Sequence, residues 1–370
     1  MTNRTKDRIK TIFRHLKGKD ITAGAILLAN TAGEEPGFFY ATGISSGVFE
    51  ASYAAIFADG TGTAIVPRLE AAIAEKELPA NISLESYSTA AEFEARLATA
   101  LRREKNIGLN YDCLRMRTLE RFKKLLPGSK LADASKAISQ ARLTKDENEI
   151  AYIKRACGIS QQALKALLES NTLRPDASEA QVAASLDYEM AQRGGRAAFS
   201  TIVAFGANSA VPHHTPTARR LKRGDLALID FGAAYKRYCA DMTRTFVCGR
   251  PNQIQTAMHS TVLSAQKAAL GKMRVGASAE TIHKAALASV DATEFRGKFI
   301  HSTGHSLGLE VHDGASLSNA AFPLGAGMVF TVEPGVYIKG VGGARVEDDV
   351  LIGKTGPVML TTADRGLMQI

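Results

Sequence analysis

The stretch Leu228–Thr245, LIDFGAAYKRYCADMTRT, predicts a β-hairpin that carries two aspartates. Apolar residues lead into it and a run rich in β-branched residues leads out. With the turn at Lys236 and Arg237, Asp230 and Asp241 become diagonal neighbours on one face of the hairpin. Two carboxylates in this arrangement repel each other unless a proton or a cation lies between them. The hairpin therefore predicts a cation site.

The chain has 370 residues, 45% of them hydrophobic, which is enough for two domains. Helical and strand-like segments alternate up to about residue 136, as is typical of a compact α/β domain. Two long helical patterns at 145–169 and 179–193 then open a region of strands, hairpins and two more helices. We predict an α/β domain at residues 1–136 and an α+β domain at residues 137–370.

Hydrophobic periodicity also predicts the individual elements. Helices are predicted at 4–17 with a stop at Gly18, and at 69–78, 91–103, 116–126, 253–272 and 279–290. Strands are predicted at 23–28, 49–57, 62–66, 82–87 and 107–109, with a hairpin turn at Asp59-Gly60.

The charge pattern does not indicate a nucleic-acid or membrane protein. Lys and Arg number 46 against 37 Asp and Glu, for a formal net charge of +9. The basic residues lie mainly in the first helix and at 219–223, without interleaved aromatics, so a solvated surface is the better interpretation. No segment approaches the roughly 20 apolar residues of a membrane span. The four cysteines are widely spaced without a zinc pattern, so we expect reduced thiols and a cytoplasmic location.

Three later segments carry further candidate functional residues. HSTGHSLGLEVHDG, residues 301–314, places three histidines among glycines. VFTVEPGVYI, residues 329–338, contains Glu333, and GGARVEDDVLI, residues 342–352, contains Glu347. The glycines between the last two segments predict a second hairpin in which the two glutamates face each other.

Together the two hairpins offer Asp230, Asp241, Glu333 and Glu347, whose four negative charges two divalent cations would cancel, with His305 as a neutral fifth ligand. This oxygen-rich set suits manganese or cobalt better than a structural zinc. Paired metal ions activate water for hydrolysis, so the set predicts a hydrolase.

Each of these residues taken alone has a simpler explanation. An aspartate that ends a strand is more often a turn or cap residue than a ligand. The histidines in helical patterns are expected to be ordinary hydrogen-bonded polar residues; these are His15, His259 and His283. The joint occurrence on adjoining strands is what favours a metal site.

The stretches IDFGAAYKRYCADMTRTF, HSTGHSLGLEVHD, FTVEPGVYI and GARVEDDVLI resemble the motifs of the pita-bread metallopeptidases. The resemblance is to the branch of Xaa-Pro dipeptidases (prolidases) and Xaa-Pro aminopeptidases. It is strong over residues 145–360 and looser over residues 4–130. It implies a creatinase-like N-terminal domain followed by a pita-bread catalytic domain.

The resemblance implies a dinuclear metal site held by Asp230, Asp241, His305, Glu333 and Glu347. In the family pattern Asp241 and Glu347 contact both ions, and Glu333 also carries a proton. Manganese is the favoured metal, with cobalt, iron and zinc as alternatives.

The resemblance also implies roles for groups that bind the substrate. His213, in AVPHHTP, matches the histidine near the scissile bond, with the adjacent His214 as the alternative. His312 matches the histidine that stabilises the tetrahedral intermediate or holds the leaving proline. His301 and Arg345 match pocket residues, and Arg345 pairs either with a substrate carboxylate or with the carboxylates of the site.

The function implied is hydrolysis of the peptide bond that precedes proline. An Xaa-Pro dipeptidase is favoured, and an Xaa-Pro aminopeptidase acting on longer peptides is the alternative. A non-catalytic peptide-binding module of the same fold is the alternative from another class. The resemblance also implies a homodimer.

Overall fold

The computed structural model describes residues 4–16, 23–31, 33–318 and 320–370. Internal contacts divide the chain into two compact units, Met1–Arg142 and Leu143–Ile370. The boundary predicted between residues 136 and 137 falls within a helix, Ser135–Leu143, at which the first unit ends. Gly18, the predicted stop of the first helix, lies outside the described residues.

The first unit is a six-stranded mixed sheet with helices. Its elements are α1 (Arg4–Leu16), β1 (Ala25–Asn30), α2 (Pro36–Thr42), β2 (Ser52–Phe57), β3 (Gly62–Pro67), α3 (Ala71–Glu77), β4 (Ile82–Tyr87), α4 (Ala90–Leu101), β5 (Asn106–Leu109), α5 (Met116–Leu125), β6 (Lys130–Asp133) and α6 (Ser135–Leu143). The strand order is β4-β3-β2-β1-β5-β6. The β1–β2 and β2–β3 pairs are antiparallel, and the β3–β4, β1–β5 and β5–β6 pairs are parallel.

Local sequence explains most of this unit. The hairpin between β2 and β3 turns through Gly60, whose φ of 88° suits a residue without a side chain. Helix α2 is not predicted by the periodicity because it is short and buried throughout. The carboxylate of Glu35 starts it by accepting the backbone N–H groups of Gly37 and Phe38, as an N-cap does.

The second unit combines antiparallel strand pairs with four helices among the described residues. Its elements are α7 (Glu147–Glu169), α8 (Glu179–Gln192), β7 (Arg196–Ala197), β8 (Ile202–Phe205), β9 (Leu226–Phe231), β10 (Ala233–Tyr235), β11 (Tyr238–Cys239), β12 (Met242–Val247), α9 (Gln253–Leu270), α10 (Ala279–Asp291), β13 (Val329–Val332), β14 (Gly335–Ile338), β15 (Gly342–Arg345), β16 (Asp348–Ile352), β17 (Pro357–Met359) and β18 (Met368–Gln369).

Two groups of helices cover these strands. The apolar faces of α9 and α10 share a buried core with β13 to β16, and those of α7 and α8 share another with β8, β9 and β12. Capping boxes begin α7, α8 and α9, where the side chain of the N-cap residue and that of the third helical residue each bond the other's backbone N–H. The predicted α/β and α+β classes are confirmed. None of the described helices is long and apolar enough to cross a bilayer.

Candidate metal centre

The hairpin of β9 to β12 has the predicted turn and register. Lys236 and Arg237 occupy the turn with positive φ values of 48° and 71°, which matches a type I′ hairpin turn. Asp230 on β9 pairs with Thr243 on β12. The ladder is interrupted between β11 and β12, and Asp241 lies in this interruption, where it is 4% exposed.

The two glutamates lie in a matching interruption. Val332 pairs with Asp348, and Gly335 pairs with Arg345, so Glu333 and Glu347 occupy opposite positions in the gap between these pairs. The second predicted hairpin therefore has the expected register. Glu333, Glu347 and Asp241 therefore lie where a hydrogen-bond ladder is broken, and Asp230 lies within its ladder close to such a break.

His305 reaches the carboxylates from a loop that lies against β13. Its backbone N–H donates to Thr331 Oγ1 at 3.0 Å, and its carbonyl accepts the Thr331 N–H at 2.8 Å. A Cβ atom on Gly304 would lie 1.9 Å from the Thr331 carbonyl oxygen, so only glycine permits this approach. The glycine beside the histidine is thus a steric requirement of the site.

The ligand atoms of Asp241, His305 and Glu347 lie within 4.8 Å of one another. His305 Nε2 is 3.7 Å from Asp241 Oδ2 and 3.4 Å from Glu333 Oε1. The side chain of Asp230 joins the same cavity from β9. The structure therefore brings together all five predicted ligands.

The cluster has unused acceptor capacity. Within the described part of the chain, Asp230 Oδ1 and Asp241 Oδ1 are buried without a hydrogen-bond partner. A buried carboxylate oxygen without a donor is costly unless a cation or proton satisfies it. Oxygen donors with one neutral imidazole fit divalent ions of the manganese type. The residues present thus fit the metal pair that the resemblance implies.

The electrostatics of the cluster agree with this assignment. Burial, followed by repulsion from Glu347 and Asp230, raises the pKa of Asp241 well above its usual range. Burial also raises the pKa of Glu347, and it raises that of Glu333 to about 7. Burial lowers the pKa of His305 to about 4, so the imidazole is neutral and free to act as a ligand.

A guanidinium holds one edge of the cluster. Arg345 Nη2 donates to Asp230 Oδ2 at 2.5 Å, and Nε donates to Thr243 Oγ1 at 2.9 Å. The Thr243 hydroxyl in turn donates to Glu347 Oε2 at 2.6 Å. Of the two partners predicted for Arg345, the structure contains the carboxylates of the site.

Tyr337 extends this network to His301. Arg345 Nη1 donates to the Tyr337 hydroxyl at 2.8 Å, which lies 2.9 Å from His301 Nε2. His301 Nδ1 lies 2.8 Å from the Ser302 carbonyl oxygen, so Nδ1 carries the hydrogen and Nε2 accepts from the tyrosine. His301 is thereby held by the protein on both ring nitrogens. Tyr337 is not recognisable from the sequence, because its role depends on the β14–β15 pairing.

The carboxylates lie in a cavity of about 850 Å³. His213 and His312 both line it, and the His312 ring centroid is 4.1 Å from that of His305. Val211 and Ile300 add apolar surface at the same cavity. His214, the alternative to His213, instead lies 2.9 Å from Glu179.

Two buried groups behind the cluster were not predicted. Asp349 Oδ2 accepts the backbone N–H of Asp241 at 2.9 Å and the Cys157 thiol at 3.3 Å. Burial raises the pKa of Asp349 to about 8. The sequence shows Asp349 only as one more acidic residue after Glu347, and Cys157 lies in a helix far from it in sequence. His283, expected to be an ordinary polar residue, lies 3.0 Å from Thr303 Oγ1.

Comparison with known proteins agrees with this geometry. Residues 151–354 match metallopeptidase family M24, and residues 8–144 match the creatinase/prolidase N-terminal domain. A protein of Pyrococcus horikoshii named Xaa-Pro dipeptidase is 35% identical over 364 residues, which cover 98% of this chain and 99% of the relative.

Two solved structures are similar over nearly the whole chain. One is the prolidase from Pyrococcus horikoshii, with a TM-score of 0.87 and 34% identity, covering 98% of this chain and 100% of that chain. The other is an X-Pro aminopeptidase from Thermotoga maritima, with a TM-score of 0.87 and 31% identity, covering 95% of this chain and 98% of that chain. The cluster of carboxylates and histidine fits the divalent metal ions that metallopeptidases of family M24 use. The chain belongs to metallopeptidase family M24.

Proposed function

We propose that this metallopeptidase is an Xaa-Pro dipeptidase, which hydrolyses the bond between an N-terminal residue and a following proline. The convergence of four carboxylates and four histidines on one cavity carries the proposal for hydrolysis. The near full-length similarity to a protein named Xaa-Pro dipeptidase supports the substrate class.

In this proposal Asp230, Asp241, His305, Glu333 and Glu347 would hold two divalent ions. The bound ions supply Lewis-acid catalysis and acidify a water molecule. The ligand oxygens of Asp230 and Asp241 that lack hydrogen-bond donors within the described chain support this assignment.

The remaining groups bind the peptide and move protons. Glu333 would take a proton from the attacking water and deliver it to the leaving proline nitrogen, as a positioned carboxylate does in general acid–base catalysis. His213 binds the peptide near the scissile bond, and His312 donates a hydrogen bond to the oxygen that becomes negative in the transition state. His301 and Arg345 act through Tyr337 and Asp230, which they hold in place.

A second candidate, Xaa-Pro aminopeptidase action on longer peptides, is favoured by one observation. A strict dipeptidase needs a group that recognises the free carboxylate of its substrate. Among the described residues that line the cavity, Arg345 is the sole lysine or arginine, and it is bound to Asp230. Recognition of a free carboxylate would therefore have to come from His213 or His312, or from outside this set.

Cleavage of Ala-Pro and Ala-Pro-Ala with manganese added distinguishes these candidates. The dipeptidase proposal expects efficient hydrolysis of Ala-Pro and little release of alanine from the tripeptide. Efficient cleavage of the tripeptide would replace it by the aminopeptidase. Failure to cleave either peptide, with two metal ions bound, would contradict both.

We also propose manganese as the metal, a homodimer as the assembly and the cytoplasm as the location. The oxygen-rich ligand set supports manganese, with cobalt, iron and zinc as alternatives. The homodimer is what the family resemblance implies, and the free cysteines among the described residues support a reducing location. Metal analysis of the protein as purified and light scattering of its size-exclusion peak test the first two.

A further inference from the structure

We infer that Glu179 is a positioning residue for the substrate-facing His213, and that His214 completes this support instead of facing the substrate. The inference rests on the proposed function, in which His213 contacts the peptide. Glu179 is the first residue of α8, and its side chain is fully buried while His214 beside it is 14% exposed. A buried carboxylate at this place requires donors, and the segment around His213 supplies them.

Both carboxylate oxygens of Glu179 are saturated. Oε1 accepts the Phe205 backbone N–H at 2.8 Å and the Asn208 side-chain amide at 2.9 Å. Oε2 accepts from His214 Nε2 at 2.9 Å, and from the backbone N–H and hydroxyl of Thr217 at 3.0 and 2.6 Å. An ionised carboxylate only accepts hydrogen bonds, so His214 Nε2 must carry its hydrogen.

These donors enclose the segment that carries His213. Phe205 stands at its beginning and Thr217 at its end, so one carboxylate fixes both ends of residues 205–217. The backbone N–H of Ala180 also donates to the Thr217 carbonyl at 3.1 Å, which joins the start of α8 to the same end. Within the described residues the His213 side chain has no hydrogen-bond partner, so its position depends on this frame.

The segment is also held on its other side. Ser209 Oγ accepts the Gly343 backbone N–H at 2.8 Å, which ties the segment to β15, the strand that ends in Arg345. Adjacent residues of an irregular segment direct their side chains differently, and here His214 is directed to Glu179 while His213 lines the cavity. Burial raises the pKa of Glu179, but hydrogen bonds from Thr217 and His214 outweigh it and lower the pKa overall, which keeps the acceptor ionised.

The test compares His214→Ala, His214→Gln and Glu179→Gln with wild type in the full chain loaded with manganese. The amide N–H of glutamine can reach the position of His214 Nε2, so His214→Gln is the rescue variant. Ser178→Ala is the matched control, because it removes the N-cap of the same helix without a contact to the 205–217 segment. Three readouts are needed: kcat and KM on Ala-Pro, bound metal, and hydrogen–deuterium exchange of residues 205–217.

For His214→Ala and Glu179→Gln we expect kcat/KM to fall about 10- to 100-fold, as loss of an orienting partner commonly does. We also expect faster exchange in residues 205–217 and unchanged metal content. His214→Gln should recover most of both losses, and Ser178→Ala should lower the melting temperature alone. If Glu179→Gln fails to fold, the His214 pair still decides the question.

The inference is overturned if His214→Ala keeps wild-type kcat/KM and exchange. It is also overturned if His214→Gln rescues nothing while His213→Ala behaves as wild type, since His214 would then be the substrate-facing residue. If wild type cleaves no Xaa-Pro peptide, the proposed function fails, whereas exchange in residues 205–217 still tests the support by Glu179.

Discussion

The two aspartates of the β9–β12 hairpin are neighbours with opposite surroundings. Asp230 is bound to the guanidinium of Arg345 at 2.5 Å. Among the described residues, Asp241 forms no ion pair with a lysine or arginine, and the nearest basic group is His305 at 3.7 Å. We call these the arginine-bound side and the arginine-free side of the cluster. The protein neutralises one carboxylate itself and leaves the other for a cation.

The two surroundings indicate where bound metal ions would have to supply positive charge. An unpaired buried carboxylate is strongly unfavourable, and without a cation it takes up a proton. Burial and repulsion from Glu347 raise the pKa of Asp241 well above its usual range, which shows this tendency on the arginine-free side. The pKa values of Glu333 and Glu347 are raised as well, although Arg345 Nε lies 3.9 Å from Glu347 Oε2. Metal ions replace those protons and keep the carboxylates ionised. Changes on the arginine-free side should therefore have larger effects on metal binding than changes on the arginine-bound side.

The largest effect is expected for Asp241→Asn, which removes the central charge of the arginine-free side. Metal affinity and kcat/KM should both fall by more than the about 10- to 100-fold that loss of an outer partner costs. Calorimetric titration with manganese and hydrolysis of Ala-Pro measure the two quantities. Asp225→Asn, which affects a carboxylate paired with Arg219 away from the cavity lining, is the control. Equal losses in the two variants would show that Asp241 has no specific role in metal binding.

The next effect is the pH dependence of the metal-free protein. A carboxyl group whose pKa is higher in the folded state stabilises the fold below its unfolded pKa and loses that contribution as the pH rises through its folded pKa. For Glu333, raised from 4.5 to about 7, this window lies between those values. We expect the metal-free protein to lose about 2–3 kcal/mol of unfolding free energy across it.

Urea denaturation at pH 5, 6 and 7.5, with and without manganese, measures this effect. Because ionised carboxylates bind the metal, stabilisation by manganese should increase with pH over the same window. Stabilisation by manganese that does not change with pH would show that no carboxyl proton is displaced.

A smaller effect is expected on the arginine-bound side. Arg345→Met removes the cation from Asp230, and metal affinity should fall about 10- to 100-fold, as for other outer partners. Arg345→Lys keeps the charge but loses the planar group that bonds Asp230, Thr243 and Tyr337 together, so its affinity should be intermediate. Calorimetric titration with manganese compares them. A loss in Arg345→Met that exceeds that of Asp241→Asn would reverse the comparison.

The smallest effect is expected for Thr243→Val, which removes the hydroxyl that links Arg345 to Glu347. The bond to Glu347 is lost, and metal binding should weaken by about 1–2 kcal/mol. Thr245→Val is the matched control on the same strand, because its hydroxyl bonds only the backbone of Arg345. Its metal affinity should stay close to wild type while its melting temperature falls. Equal metal affinities in the two variants would show that the Thr243 hydroxyl does not contribute to metal binding.

The sequence predicted the hairpins well because strand pairing has a period of two residues and the turns were recognisable. Once the turn at Lys236 and Arg237 was placed, the register fixed which residues face each other. The same rule predicted that Glu333 and Glu347 face each other. The short helix α2 was missed because its start depends on a glutamate side chain and not on periodicity.

Residues that act through tertiary contacts were not predictable in this way. Glu179 begins a helix and resembles an ordinary acidic residue of the first turn, and its partners come from residues 205–217, which begin at the last residue of β8. Tyr337 and Asp349 were likewise visible only as members of strands. Their roles depend on which distant element packs against them, and a single sequence holds no local signal for that. Positioning residues of this kind are therefore identified from the structure, whereas metal ligands can be identified in the sequence by their charge and spacing.

The most direct test of the metal site is the activity of chelator-treated protein as manganese is added back. We expect no hydrolysis of Ala-Pro by the metal-free protein and an increase that levels off at two equivalents of manganese per chain. Full activity without metal would contradict the account. Two equivalents of bound manganese without hydrolysis of any Xaa-Pro peptide would also contradict it, and would favour the peptide-binding module instead.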